Sequence, residues 1–162
     1  MKITPAKLPP LGKRLTGQVA SERMGLSGDD YARPEGDLYF DVKASKVSGR
    51  LVVKGALRIK MRLSCVRCDE FFERDVSENA YECVREFFDP DQEVDLTDDA
   101  REAIILAFPN YPVCSSECRG LCPYCGTNLN VGKCGCKPPL DDRLAVLDKL
   151  EVNNGRTEKK DI

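Results

Sequence analysis

Six cysteines fall between Cys114 and Cys136, and no histidine stands anywhere in the chain. They are spaced C-x3-C (Cys114, Cys118), C-x2-C (Cys122, Cys125) and C-x-C (Cys134, Cys136), and a further C-x2-C, Cys65 and Cys68, lies upstream. Such spacings bring two sulfurs to one point on a tight turn. Four close pairs supply two four-coordinate soft-metal sites, with Cys83 left over. Without imidazole, a tetrahedral centre here is all thiolate unless a carboxylate completes it. A chain stapled in this way must bring its middle, near residue 65, against its cysteine block.

In C-P-Y-C-G, Gly126 permits a positive φ just after the second ligand, which is the zinc-ribbon knuckle pattern. The C-x-C pair reaches one metal only through a tight turn, which Gly135 eases. The first assignment is therefore Cys122, Cys125, Cys134 and Cys136 for one Zn2+ and Cys65, Cys68, Cys114 and Cys118 for the other. A competing assignment joins Cys114/Cys118 to Cys122/Cys125 through the flexible loop at Gly120. All-thiolate tetrahedral sites are closed, whereas a catalytic zinc keeps an open position, so both centres are expected to be structural. Iron–sulfur ligation also suits four cysteines, although the knuckle spacing prefers zinc. Dithiol redox chemistry at Cys65/Cys68 is the sharper rival, since Arg67 would lower a thiol pKa. Such pairs ordinarily open a helix, however, and this one follows a basic strand. Cys83 reads as a small buried hydrophobe.

At 162 residues and 41% hydrophobic, one domain with a small metal-stapled appendage is expected. No apolar run approaches the roughly 20 residues that span a bilayer. The start, MKITPAKLPPLGKR, has no apolar signal region, so a cytoplasmic protein with reduced thiols is expected, and disulfides are disfavoured. The sequence holds no Ser/His/Asp set, phosphate-cradling glycine loop or isolated carboxylate pair, and no enzyme is expected.

The near-neutral net charge of −2 hides segregation. Residues 42–68 carry eight bases and no acid, and residues 69–102 carry fourteen acids against three bases. Asymmetry of this kind bears on partners more than on fold.

Period-2 patterning sets the middle of the chain. Leu38, Phe40, Val42 and Ala44 share one face of a strand, and Val47-Ser48-Gly49 supplies a turn. The next strand carries Leu51, Val53, Leu57, Ile59, Met61 and Leu63 on its odd face. Its even face carries Arg50, Lys54, Arg58, Lys60 and Arg62. Gly55 is expected to mark a bend or bulge. A third strand returns through Phe71–Val76 and then Tyr81–Phe88. A helix follows, with Thr97 as N-cap, Asp98 and Asp99 at its positive end, and Pro109 beyond its end. Its apolar residues Ala103, Ile104, Leu106, Ala107 and Phe108 are expected on the sheet. Leu140, Leu144, Leu147 and Leu150 give a second, C-terminal amphipathic helix with Asp141 as its cap.

The expected organisation is a loop-rich segment at 1–37 with a short strand near Thr16–Ser21, and a sheet plus helix at 38–110. A zinc-ribbon-like module at 111–137, a helix at 138–152 and a disordered tail at 153–162 follow. The fold class is α+β, with a small antiparallel sheet. The basic face has two readings. Arg50, Lys54, Arg58, Lys60 and Arg62 can track a phosphate backbone, or they form a solvated face covered by the chain's own acidic segment.

The strings RLSCVRCDEFFERDV, DLTDDAREAIILAFPNYPVC, CRGLCPYCGTNLN, CGC and DDRLAVLDKL, in that order and spacing, resemble the YceD-like proteins, the large ribosomal RNA subunit accumulation family of bacteria and plastids. The resemblance implies a non-enzymatic, metal-binding factor for synthesis, processing or accumulation of 23S rRNA. It carries the family's cysteines onto Cys65, Cys68, Cys114, Cys118, Cys122 and Cys125, and more loosely onto Cys134 and Cys136. Expected partners are precursor rRNA or a large-subunit ribosomal protein, with no membrane and no small-molecule substrate. The alternatives are an adaptor acting through the acidic segment, and a thiol redox or metal-delivery protein.

Overall fold

A computed structural model describes residues 1–26 and 31–137. The sheet is built around one long strand, β5 (Arg50–Ser64). It pairs antiparallel on one side with β6 (Phe71–Glu86) and on the other with β4 (Leu38–Val47). Beyond β4 lies β2 (Lys13–Val19), and a short β3 (Ala32–Pro34) continues the β4 edge against the far end of β5. A separate two-stranded ladder joins β1 (Lys2–Ile3) to β7 (Val94–Asp95), and α1 (Thr97–Leu106) follows. The architecture is thus α+β, a mostly antiparallel sheet with one helix among the described residues. The expected C-terminal helix and tail lie outside the described residues.

Local chemistry explains the hairpins. Ser48 and Gly49 both take positive φ, 49° and 78°, while Val47 pairs with Arg50. Two left-handed residues in a two-residue loop match the right-handed strand twist. The alternation read in β5 holds throughout: Leu51, Val53, Leu57, Ile59 and Met61 are buried and the intervening bases exposed. The buried face packs against Leu38 and Val42 of β4, Leu96, Ala100 and Ile104 around α1, and Met24 from a short 3-10 turn at Ser21–Met24. Burying each such side chain contributes about 1.5–3 kcal/mol. The opposite face of the sheet is left to solvent.

Several expectations are corrected. The described part of residues 1–37 holds three strands, the longest reaching back to Lys13. The short strand expected near Thr16–Ser21 is β2, and its start at Lys13 is obscured in sequence because Gly17 interrupts the alternation. That glycine seats the Phe40 ring, which would lie 2.7 Å from an added Cβ. The third strand is continuous, with a one-residue bulge where Gly55 faces Tyr81 and Leu57 faces Glu78. The extra residue therefore belongs to β6, near Ala80, whose N–H donates to the Glu78 carboxylate. The irregularity does fall at Gly55, as expected, and this glycine has a packing role besides. A Cβ there would stand 2.2 Å from the Asp41 carbonyl oxygen, so it allows close approach of β4. Thr97 lies inside the helix, not at its cap, and Asp95 accepts its N–H at 3.0 Å. Leu106 points away from the sheet, because the core-facing stripe passes through Ala100 and Ile104.

Candidate metal centres and the charged sheet face

The first four cysteines meet at one end of the sheet. The β5–β6 hairpin loop presents Cys65 and Cys68. It is closed by the Cys65 N–H to the Glu70 carbonyl at 2.9 Å and by Asp69 at positive φ. The segment after α1 delivers Cys114 and Cys118, held by the Val66 N–H to the Pro112 carbonyl. The Cys65 and Cys118 sulfurs are 3.9 Å apart, and those of Cys68 and Cys114 are 3.8 Å apart. Sulfurs at about 2.3 Å from a tetrahedral zinc define an edge of about 3.8 Å. A disulfide would need about 2.05 Å. The donor set therefore fits a closed four-thiolate zinc centre. Cys122, Cys125, Cys134 and Cys136 form a second quartet, with all four sulfurs within 4.8 Å of one another. The first assignment of partners is the one the structure adopts, and Cys114/Cys118 do not join Cys122/Cys125.

Sulfur acidity follows from packing. Burial raises the Cys65 thiol, but N–H groups of Cys114, Arg67 and Cys68 outweigh it and bring it down to about 6. Cys114 is pushed up to about 12, first by its hydrogen bond with Cys118 and then by burial. In the second quartet the Thr127 hydroxyl and N–H bring Cys125 down to about 6, while its hydrogen bond with Cys125 pushes Cys136 up to about 12. In the first cluster Cys118 is also lowered, burial being outweighed by the Asn130 amide and the Gly120 N–H, while Cys68 and Cys114 are raised, so the cluster resists a full set of four thiolates unless a cation neutralises them.

The two centres are joined through Arg67 and Asn130. The Arg67 carbonyl accepts the Leu121 N–H at 2.8 Å, and its guanidinium donates to the Cys118 carbonyl at 3.0 Å. Gly120 has φ +75°, and an added Cβ would lie 2.9 Å from the Arg67 carbonyl oxygen. Asn130, from the loop between the halves of the second quartet, donates to the Cys118 sulfur at 3.4 Å. Sequence reasoning missed Asn130 and Thr127. Their only signal was polar character beside the knuckle, in C-G-T-N-L-N.

Arg50, Lys54, Arg58, Lys60 and Arg62 all lie exposed on the open face of the sheet. Cross-strand carboxylates meet most of them. Arg50 reaches Glu86 at 2.9 Å, Lys54 reaches Glu82 at 2.8 Å, and Lys60 reaches Glu73 at 2.6 Å. Arg62 lies 4.0 Å from Glu35 and stacks 5.0 Å above the Phe71 ring. Arg58 has no ion-pair partner among the described residues. It stands across from exposed Tyr39. Lys43 lies opposite Lys54, a like-charge pair, and it too has no ion-pair partner among the described residues.

Sheet, helix and paired thiolate clusters define a small α+β protein with two candidate structural metal centres. The comparisons agree with the family resemblance. A family model, Large ribosomal RNA subunit accumulation protein YceD, matches residues 77–151. That stretch holds α1 and six of the eight clustered cysteines, with Cys65 and Cys68 outside it. The chain is 43% identical over 49 residues to a maize protein, Large ribosomal RNA subunit accumulation protein YCED homolog 1, chloroplastic; this covers 30% of this chain and 17% of that protein. It is 38% identical over 45 residues to the Arabidopsis thaliana protein of the same name, covering 28% of this chain and 14% of that one. The chain thus spans well under a fifth of these curated relatives. No solved structure matches it. No helix among the described residues is long and apolar enough to cross a membrane.

Proposed function

We propose that the chain is a non-enzymatic, zinc-stabilised factor of the cytoplasm that supports accumulation of large-subunit ribosomal RNA, and that it does so by holding precursor RNA against its open sheet face. The carrying observation is the architecture: a one-sided sheet whose basic face is framed by a closed four-thiolate centre, in a chain resembling proteins named for this process. Bound zinc would supply cross-linking and charge neutralisation, with no reactive position. Cys65, Cys68, Cys114 and Cys118 would hold one ion, and Cys122, Cys125, Cys134 and Cys136 the other.

Charge on the open face divides it. Lys54, Lys60 and Arg50 are shared with β6 carboxylates, so they offer phosphate less than their number suggests. Lys43 and Arg58, which have no ion-pair partner among the described residues, and the Tyr39 ring between β2 and β5 are assigned the first contact with RNA.

Sedimentation tests the reading. The zinc-loaded chain and its Lys43→Ala/Arg58→Ala variant are run with ribosomal particles from cell extract, at low and moderate salt. Wild type is expected with large-subunit precursors and the variant near the top. Equal co-sedimentation of both would move the contact to another face. No co-sedimentation of wild type would refute RNA holding.

A further inference from the structure

On the far side of the sheet from β2, β6 is an outer strand. It pairs with β5 alone, and its other edge has no backbone partner among the described residues. Long open edges accept an added strand unless something blunts them. Between this edge and α1 runs a groove of about 400 Å3. Glu78, Glu82, Asp99 and Glu102 line it, against the single base Arg85, which is bound to Asp99. Glu102 has no ion-pair partner among the described residues. Leu106, 78% exposed, gives the groove an apolar wall.

A second observation points to a ligand. Tyr81 also lines the groove and is 4% exposed, and its hydroxyl has no hydrogen-bond partner. Burial first, then the nearby Cys83 thiol, keeps that phenol protonated, so it is a buried donor beside a weakly accepting sulfur and with no oxygen or nitrogen acceptor. Buried polar groups left in that state are rare and call for an explanation.

We propose that the groove between the β6 edge and α1 is a docking site for an extended, Lys/Arg-rich polypeptide segment that adds as a strand to β6. Its backbone pairs with the edge on the Tyr81–Glu86 side of the bulge, since the Ala80 N–H is already given to Glu78, and one of its carbonyls takes the Tyr81 hydroxyl. Its ammonium or guanidinium groups meet Glu78 and Glu102, while their methylene stems lie on Leu106. Nucleic acid is a poor occupant, because the lining carboxylates repel phosphate. A divalent cation is also disfavoured: among the described residues only the two cysteine quartets bring enough ligand atoms together. The site is separate from the RNA contact, since Lys43 lies on β4, Arg58 lies on β5, and neither lines the groove.

The test uses the zinc-loaded full chain and a fluorescein-labelled twelve-residue peptide alternating Lys and Thr, read by fluorescence anisotropy. A Glu/Thr peptide serves as the charge-reversed probe. Three variants are compared with wild type: Glu78→Gln/Glu102→Gln, Tyr81→Phe, and Asp91→Asn/Glu93→Gln, which removes the same charge elsewhere. Zinc content and circular dichroism check that each is folded. The groove variant is expected to raise Kd about five-fold and Tyr81→Phe by a similar factor, which is the scale of one or two exposed polar contacts. The distal variant is expected to change it little. Equal weakening by the distal variant means non-specific attraction and overturns the site, as does absence of binding. Self-association that competes with the peptide, and is lost in the groove variant, would make a second copy the occupant and also overturn the proposal.

Discussion

Replacing Cys65 by Ser should cost the fold far more than the loss of one buried sulfur would suggest. Cys65 and Cys118 are 53 residues apart in sequence, and a shared metal closes the chain between them. Cross-linking a loop of that length removes about 4 kcal/mol of unfolded-state entropy on the disulfide scale, taken here as the measure for a four-thiolate staple. A chain of this size loses roughly 2–4 °C of Tm per kcal/mol, so the variant should melt roughly 10 °C lower. The assay is scanning calorimetry of wild type and Cys65→Ser, each with metal content measured, repeated after a strong zinc chelator. Chelated wild type should fall toward the variant, and the variant should retain one zinc of two. Cys136→Ser is the internal comparison. It opens a much shorter loop, outside the sheet, and should leave the main transition nearly in place. An unchanged Tm after complete zinc removal would refute the staple. So would a Cys136→Ser variant as damaged as Cys65→Ser, because the first centre alone spans sheet and helix.

Gly55→Ala places a methyl 2.2 Å from the Asp41 carbonyl oxygen and 2.6 Å from the Val42 Cα, and these are backbone atoms of the paired strand β4, which cannot yield cheaply. It should destabilise by about 3 kcal/mol or more, seen as a lower urea midpoint with unchanged zinc content. Asn130→Ala removes the N–H donor to the Cys118 sulfur, and about ten-fold weaker zinc retention is expected at the first centre, followed by chelator competition. Asp95 sits below the usual carboxylate range, first because the Thr97 hydroxyl donates to it. A carboxylate whose folded pKa is depressed adds stability above its unfolded pKa, about 3.9, and that stability is lost as pH falls through the folded value. Urea midpoints of chelated protein should therefore drop below about pH 4, and Asp95→Asn should flatten that drop.

Much of this protein can be read in its sequence, because the controlling signals are local. The odd and even residues of Arg50–Ser64 declare a half-buried strand, since the pleat alternates side chains between two faces. The paired cysteines declare two four-sulfur sites, since only short turns bring such neighbours together. The family resemblance rests on the same short motifs.

Other features depended on chain packing. Gly17 obscured the length of β2, because the group that fills its place on that face is a ring from another strand, Phe40. The choice between two cysteine pairings was settled where the β5–β6 hairpin meets the segment after α1, a contact between residues about fifty apart. The charges of 42–68 and 69–102 looked like separate surfaces in sequence. Antiparallel pairing of β5 with β6 sets Arg50 beside Glu86 and Lys54 beside Glu82, so most of the basic strand is neutralised by its neighbour. Sequence determines which residues are charged and with what period. Strand pairing decides which charges cancel and which, like Arg58 and Glu102, are left without an ion pair among the described residues.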